Sequence, residues 1–297
     1  MRLLNRDNTG KFSLTYSMVR DDAIPRYAIL SHTWRADTEE VNFEDMIYGT
    51  GTSKPGYDKI RFCGEQARRD GLQYFWVDTC CIDKSSITEL GEAINSMFRW
   101  YQKAAKCYVY LADVPRPAFN ADADGTPSQL SWESSFRKSR WFTRGWTLQE
   151  LVAPALVEFY SKEGERLGSK RSLERHIHEV TGIPIKVLRG SPLSDVSVAE
   201  RMAWAGNRET TYEEDKAYSL LGIFDVYMPL IYGEGGEKAF KRLREEIGKL
   251  LSLSCRTLLL VDSRNRLALR FDLQFINQCD MGGQLIRCAR VYLHTPV

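Results

Sequence analysis

The side chains best suited to bind or act on a ligand lie in the first 150 residues, close behind short apolar runs. They are Ser31, His32, Trp34, Asp78, Arg144, Trp146 and Glu150. In a parallel sheet, ligands bind beyond the carboxyl ends of the strands, so side chains that follow several strands meet at one edge. Carboxyl groups, an imidazole and indole rings at that edge predict a pocket for a small molecule.

Each of these residues also has a purely structural interpretation. The tryptophans, Trp141 among them, could simply pack in the core. Asp78 could cap the following turn, and His32, which no second histidine accompanies, could be a hydrogen-bonded structural residue. Glu150 could lie on a surface helix and pair with Arg144 or Lys162, an interaction worth less than ~1 kcal/mol. Spacing alone therefore leaves the role of Glu150 open.

Hydrophobic periodicity predicts the elements that must position these side chains. It indicates strands at residues 27–34, 72–83, 107–112 and 156–160, and helices at residues 57–70 and 90–105. The β-α-β-α-β order favours a parallel sheet with right-handed crossovers. Residues 115–131 are predicted to form an exposed excursion, and residues 139–154 a loop and a short helix that Pro154 ends.

The rest of the chain is predicted to be mainly helical. Helical patterns occur at residues 172–181, 196–207 and 237–250, and weaker strand-like runs at residues 258–261 and 291–294. Thr211 and Glu214 match a capping box for a helix that runs to Leu221 and that Gly222 would end. The glycine-rich residues 233–236 lack the ending of a phosphate-binding loop, so we interpret them as a turn before a helix.

These patterns divide the chain into three predicted parts. Residues 1–165 form an α/β core with a parallel sheet flanked by helices. Residues 166–251 form a helical extension packed on that core. Residues 252–297 form a divergent C-terminal tail.

Composition argues against several classes of function. The 297 residues are 43% apolar and 27% charged, as in typical globular proteins. The 41 basic and 39 acidic residues leave a charge of +2, so charge gives no reason to expect nucleic acid as a partner. Residues 1–14 lack the apolar segment of a secretory signal, and no run approaches the ~18 apolar residues of a membrane span. We predict a soluble cytoplasmic protein without a membrane span.

The seven cysteines predict neither a metal site nor a disulfide framework. They include no Cys-x-x-Cys pair, and Cys80 and Cys81, predicted on one strand, would point to opposite faces of the sheet. The four histidines are scattered, with only His176 and His178 close together. We predict buried thiols in a reducing compartment and no bound metal.

Several strings carry a resemblance to a known family. They are YAILSHTW at residues 27–34, FWVDTCCID at 75–83, RWFTRGWTLQE at 140–150, TTYEEDKAYSLLGIF at 210–224 and YGEG at 232–235. In order and spacing, residues 1 to about 250 resemble the heterokaryon incompatibility (HET) domain of filamentous fungi. The resemblance implies a role in non-self recognition with growth arrest or programmed cell death as the output.

A more distant resemblance concerns the TIR domains. Plant-type TIR domains carry Trp-Cys-x-x-Glu-Leu on a helix after the third strand, and this chain has Trp146, Thr147, Glu150 and Leu151 at the same spacing. The resemblance implies a TIR-like (flavodoxin-like) sheet and NAD+ hydrolysis with Glu150 as the catalytic residue. NAD+ would be the substrate, and no cofactor or metal would be required.

One glutamate suffices chemically for that reaction. Nicotinamide leaves the ribose as a neutral ring, so the second carboxyl group that protonates the leaving oxygen of ordinary glycosides is unnecessary. A carboxylate at Glu150 could stabilise the developing positive charge on the ribose. Trp34 is the candidate for stacking nicotinamide or adenine, with Trp146 more suited to the core, and Ser31 and His32 would line the pocket. Asp78 and Arg144 complete the predicted substrate-binding set.

The alternative is a death-signalling module without enzymatic activity. Such a module would act by self-association or by binding a partner, such as an NLR-type or another incompatibility protein. The two interpretations are compatible, because an active site shared between subunits would require a homo-oligomer for turnover.

Overall fold

The computed structural model describes residues 1–7, 10–18, 23–116, 130–262, 271–279 and 285–293. The chain divides into two compact units, residues 1–243 and residues 244–297. The three-part division at residues 165 and 251 stays a prediction.

The first unit is built on a seven-stranded mixed sheet. Its strands are β1 (Leu4–Arg6), β2 (Phe12–Leu14), β3 (Tyr27–His32), β4 (Tyr74–Trp76), β5 (Lys106–Tyr110), β6 (Val157–Tyr160) and β7 (Arg166–Ser169), in the spatial order β2-β1-β4-β3-β5-β6-β7. The four inner strands are parallel, and β1, β2 and β7 pair antiparallel at the edges. In the second unit, β8 (Phe271–Cys279) and β9 (Leu285–Leu293) form an antiparallel pair.

The predicted α/β class is confirmed, and the parallel strands follow the flavodoxin-like order. The first of them, β3, lies between β4 and β5, so the chain crosses to opposite sides of β3 and creates a switch point there. The prediction of a parallel sheet omits the antiparallel strands β1, β2 and β7. These antiparallel strands contain only three or four residues each, which is too short to show a clear alternation of apolar and polar residues.

Helices flank the sheet and make up most of the later part of the chain. They are α1 (Phe43–Tyr48), α2 (Tyr57–Arg69), α3 (Asp78–Cys81), α4 (Ile87–Lys103), α5 (Leu130–Arg137), α6 (Thr147–Val152), α7 (Glu174–Thr181), α8 (Ile185–Leu188), α9 (Val198–Ala203), α10 (Asp215–Tyr218), α11 (Leu221–Phe224) and α12 (Gly236–Asp262), with short 3-10 turns at Gly51–Ser53, Arg140–Thr143 and Leu193–Asp195.

Helix α4 shows how sequence places these elements. The Ser86 side chain caps its N-terminus by accepting a hydrogen bond from the Glu89 amide. Its buried residues recur at helical spacing, so one apolar face packs inward; they are Ala93, Ile94, Met97, Trp100 and Tyr101. Helix α2 (Tyr57–Arg69) covers almost all of the helix predicted at residues 57–70.

The single strand predicted at residues 72–83 is wrong. Strand β4 ends at Trp76, and Asp78 then begins α3, which contains Cys80 and Cys81. A short apolar run does not distinguish a buried strand from a buried helix, and all of α3 except Asp78 is buried. Both cysteines are therefore buried free thiols on a helix, not residues on opposite faces of a strand.

Two local predictions in the helical part are also wrong. No Thr211 capping box forms, because Glu214 instead accepts hydrogen bonds from the amides of Gly233 and Gly235. Gly222 does not end a helix but lies within α11. A Cβ atom there would come within 2.0 Å of the Cβ of Phe98, so glycine permits the close packing of α11 on α4.

The remaining predictions concern the turn at residues 233–236, the two strand-like runs near the C-terminus and the excursion at residues 115–131. The turn predicted at residues 233–236 is confirmed, since α12 begins at Gly236. The strand-like run at residues 258–261 is instead part of α12, whereas residues 291–293 belong to β9. The predicted excursion lies mostly outside the described residues, as does His294.

Candidate active site

Strand β3 places Ser31 and His32 at the switch point of the sheet. All six residues of this strand are buried, and Ser31 pairs in register with Val109 of β5. On the other side, Ile29 pairs with Trp76, so the chain reaches Asp78 at the level of Ser31. The carboxyl ends of β3 and β4 therefore present their polar side chains at one edge.

Helix α6 brings Glu150 to the same edge from the connection between β5 and β6. The side chain is buried, with 6% of the residue exposed, and its Oε2 accepts a hydrogen bond from the Ser31 hydroxyl. The Trp141 Nε1–H donates to the Ser31 oxygen at 2.8 Å. The interpretation of Glu150 as a surface residue is therefore wrong, and Lys162 is instead near Glu163.

Burial changes the acidity of Glu150. Loss of solvent is the largest effect and raises the pKa of this carboxyl group, and the negative charge of Asp78 raises it further, to about 8. Hydrogen bonding with Ser31 and Tyr101 and the charge of Arg144 oppose this rise only in part. Glu150 is therefore mainly protonated at neutral pH in the ligand-free protein.

Three predicted residues form a second hydrogen-bonded group. The Asp78 carboxylate accepts from His32 Nε2 at 2.8 Å and from Trp34 Nε1 at 2.7 Å. Burial alone would raise the pKa of Asp78, but the hydrogen bond from His32, with the charges of Lys84 and Lys59, holds it well below its usual range. Asp78 is therefore ionised at neutral pH, unlike Glu150.

A buried ion pair contacts the His32 member of this group. Lys59 of α2 pairs with Glu40, and its Nζ lies 2.8 Å from His32 Nδ1. A lysine ammonium only donates, so Nδ1 accepts and the imidazole proton lies on Nε2, where it is donated to Asp78. Burial lowers the pKa of Lys59, and the charge of Glu40 opposes that effect.

The helical part of the first unit contributes a third group. Trp146 Nε1 donates to Asp215 Oδ2 at 3.1 Å, and the Tyr232 hydroxyl donates to Asp215 Oδ1 at 2.9 Å. Burial raises the pKa of Asp215. The charge of Arg144 lowers the pKa of both Asp215 and Glu150, although burial has the larger effect on each.

The structure thus gathers the predicted residues into groups. Ser31 bonds to Glu150, His32 and Trp34 bond to Asp78, and Trp146 bonds to Asp215, where the charge of Arg144 opposes the rise in pKa that burial causes. Their roles in binding and catalysis stay predictions.

Sequence reasoning missed five contributors to these groups: Trp141, Lys59, Glu40, Asp215 and Tyr232. The sequence offered one signal for these residues, which was the position of Lys59 next to Ile60 on the apolar face of α2.

Comparison with known proteins identifies the family. Residues 27–121 match the family model described as heterokaryon incompatibility protein (HET). Over 249 residues, or 84% of the chain, the sequence is 64% identical to the vegetative incompatibility protein HET-E-1 of Podospora anserina. The chain belongs to the HET family. It spans 18% of the length of HET-E-1, and no solved structure matches it.

The HET family match contains four of the seven predicted site residues. Residues 27–121 include β3, β4 and β5, and with them Ser31, His32, Trp34 and Asp78, whereas Glu150 lies beyond the matched range. None of the helices in the described part of this HET protein is long and apolar enough to span a membrane.

Proposed function

We propose that this HET protein is a vegetative incompatibility effector that hydrolyses NAD+ through Glu150 and thereby causes programmed cell death. The observation that carries the proposal is the buried Glu150 carboxyl group, hydrogen-bonded to Ser31 at the switch point of a flavodoxin-like sheet. The family match and the name of the relative support the biological role. The cytoplasm, where NAD+ is available, is the proposed location.

The proposed reaction breaks the bond between the nicotinamide nitrogen and the ribose carbon. Nicotinamide leaves with the bonding electron pair as a neutral molecule, and the ribose passes through an oxocarbenium-like state. Water adds to that carbon and releases a proton, which gives ADP-ribose. The Glu150 carboxylate stabilises the positive charge on the ribose in the transition state.

The substrate itself favours the reactive form of Glu150. The nicotinamide ring of NAD+ is positively charged, and a positive charge beside a buried carboxyl group lowers its pKa. The Ser31 hydroxyl donates to the same carboxyl group and accepts from the Trp141 indole, and its donation favours the carboxylate form. Substrate binding and loss of the Glu150 proton therefore stabilise each other.

Nicotinamide release by the purified chain tests the proposal. We expect wild-type protein to convert NAD+ into nicotinamide and ADP-ribose, and Glu150→Gln to be slower by a factor on the order of 100 or more. Glu179→Gln is the matched control, because it removes a carboxylate on α7 that pairs with Arg137 of α5. This variant should retain full activity. Equal rates in wild type and Glu150→Gln would contradict the proposal.

The alternative, signalling by self-association or by partner binding, has an observation of its own. Large apolar side chains are exposed in the helical part at Tyr212, Tyr227, Ile231 and Tyr232. Such side chains commonly mark protein–protein contacts. A homo-oligomer, or a complex with an incompatibility or NLR-type partner, would cover them and could combine with the enzymatic function.

A further inference from the structure

Trp34 presents an exposed indole whose orientation is fixed. The residue is 41% exposed, yet its Nε1–H donates to Asp78 Oδ2 at 2.7 Å. Exposed tryptophans usually have no such constraint, and holding one side chain in place costs free energy. A ring held by its edge leaves its face available for stacking, and it loses little further freedom when a ligand binds.

The loop that carries Trp34 is anchored by buried charges. The Glu40 carboxylate accepts from the Arg35 amide at 2.5 Å and pairs with Lys59, which in turn contacts His32. His32 donates to the same Asp78 that holds the indole. These contacts keep the loop after β3 in one conformation and preorganise Trp34 at the edge where Glu150 lies.

One face of the indole carries a single positive charge. The Lys84 Nζ lies 3.8 Å from the centroid of the Trp34 ring. Lys84 is exposed, and among the residues that the structure describes no carboxylate comes within ion-pair distance of its ammonium group. An exposed cation–π contact is weak, so an anionic ligand can readily displace it.

We propose that Trp34 and Lys84 form a subsite for the adenosine diphosphate half of a dinucleotide. The base stacks on Trp34 in place of the Lys84 ammonium, and Lys84 turns to the diphosphate. This inference rests on the proposed function, because it names how the substrate of Glu150 is held. Asp78 joins the two sites, since it fixes Trp34 and its charge acts on Glu150.

Titration calorimetry of the full chain with ADP-ribose and with adenosine tests the subsite without any need for turnover. We expect Lys84→Gln to raise the Kd for ADP-ribose about tenfold and to leave adenosine binding unchanged, because only ADP-ribose carries the diphosphate. Trp34→Leu should weaken both ligands about tenfold or more, whereas Trp34→Phe, which keeps a ring but loses the hydrogen bond to Asp78, should weaken them less. Lys103→Gln, an exposed lysine at the end of α4 next to the opposite edge of the sheet, controls for net charge.

The outcomes separate this inference from the proposed function. Absence of ADP-ribose binding to wild type, or equal binding by wild type, Lys84→Gln and Trp34→Leu, would overturn the subsite. An equal loss in Lys103→Gln would also overturn it, because only overall charge would then matter. If ADP-ribose binding depends on Lys84 and Trp34 while NAD+ is never cleaved, the subsite stands and the proposed hydrolysis fails.

Discussion

At the scale of single residues, the Glu150 carboxyl group combines burial with donors directed at it. Burial favours the protonated acid, whereas the Ser31 hydroxyl, with its oxygen engaged by Trp141, favours the carboxylate. The balance gives a pKa of about 8, close to the pH of the cell interior. A small change in local charge, such as a bound cation, is therefore enough to change the ionisation state of this group.

The pH dependence of catalysis follows from this pKa. If the carboxylate is the reactive form, kcat/KM reports the ionisation of Glu150 in the free protein. We predict that kcat/KM for NAD+ rises by about tenfold per pH unit well below pH 8 and levels off above it. A profile that falls between pH 6 and 8 would show that the protonated acid is the reactive form.

The same pKa makes a prediction about stability. The folded-state pKa of Glu150 lies above its ordinary value of 4.5. The contribution of this group to the free energy of unfolding is therefore fully present below pH 4.5 and is lost as pH rises through about 8. Relative to Glu150→Gln, the wild-type free energy of unfolding should fall between pH 5 and 9. The fall is at most about 5 kcal/mol, at about 1.4 kcal/mol per pKa unit. Urea unfolding at pH 5, 7 and 9 measures it, and parallel curves for the two proteins would contradict the assignment.

At the scale of elements, α2 fixes the loop after β3 through one buried lysine. Lys59 is almost completely buried, and it contacts Glu40 and His32 at once. A buried ion pair adds little stability relative to apolar side chains, but removal of one partner leaves an uncompensated charge. This arrangement ties the orientation of Trp34 to the packing of α2 on the sheet.

Replacement of Lys59 tests that connection. We predict that Lys59→Met lowers the free energy of unfolding by about 3–5 kcal/mol, because Glu40 stays buried without its cation. The double variant Lys59→Met with Glu40→Leu should recover most of the loss. Arg61→Met on the same helix removes an exposed pair with Asp58 and should cost less than ~1 kcal/mol. The prediction fails if the single and double variants are equally destabilised in urea unfolding.

Periodicity is sufficient to predict elements that bury one continuous face or run. It locates β3, α2, α4, β5 and β6 closely, whereas the flavodoxin-like order of the parallel strands was implied by the resemblance to TIR domains. It fails for residues 72–83, where a three-residue strand passes directly into a buried helix. It also fails at Gly222, whose absent side chain makes room for Phe98. Both errors arise from tertiary contacts that override local pattern.

At the scale of the whole molecule, contacts far apart in sequence complete the candidate site. Trp141 reaches Ser31 across 110 residues, and Trp146 reaches Asp215 across 69. Sequence alone predicted Glu150 at the correct edge, because strand ends and family spacing place it there. Its hydrogen-bonding partner and its acidity depend on burial, which a single sequence does not specify.

The biological output separates the two proposed functions. Expressed in fungal cells, wild-type protein should lower NAD+ before cells die, and Glu150→Gln should do neither, because depletion is the proposed cause of death. Replacement of Ile231 by Asp perturbs the exposed apolar surface of the helical part without touching Glu150. Death that persists in Glu150→Gln and disappears in Ile231→Asp would favour signalling by association instead.

The most direct test is the stoichiometry of NAD+ cleavage by the purified 297-residue chain at pH 8, followed by chromatography. The proposed mechanism predicts equimolar nicotinamide and ADP-ribose from wild type and from Glu179→Gln, with almost none from Glu150→Gln. Intact NAD+ after incubation with wild type over a wide range of protein concentration, or equal cleavage by Glu150→Gln, would contradict it.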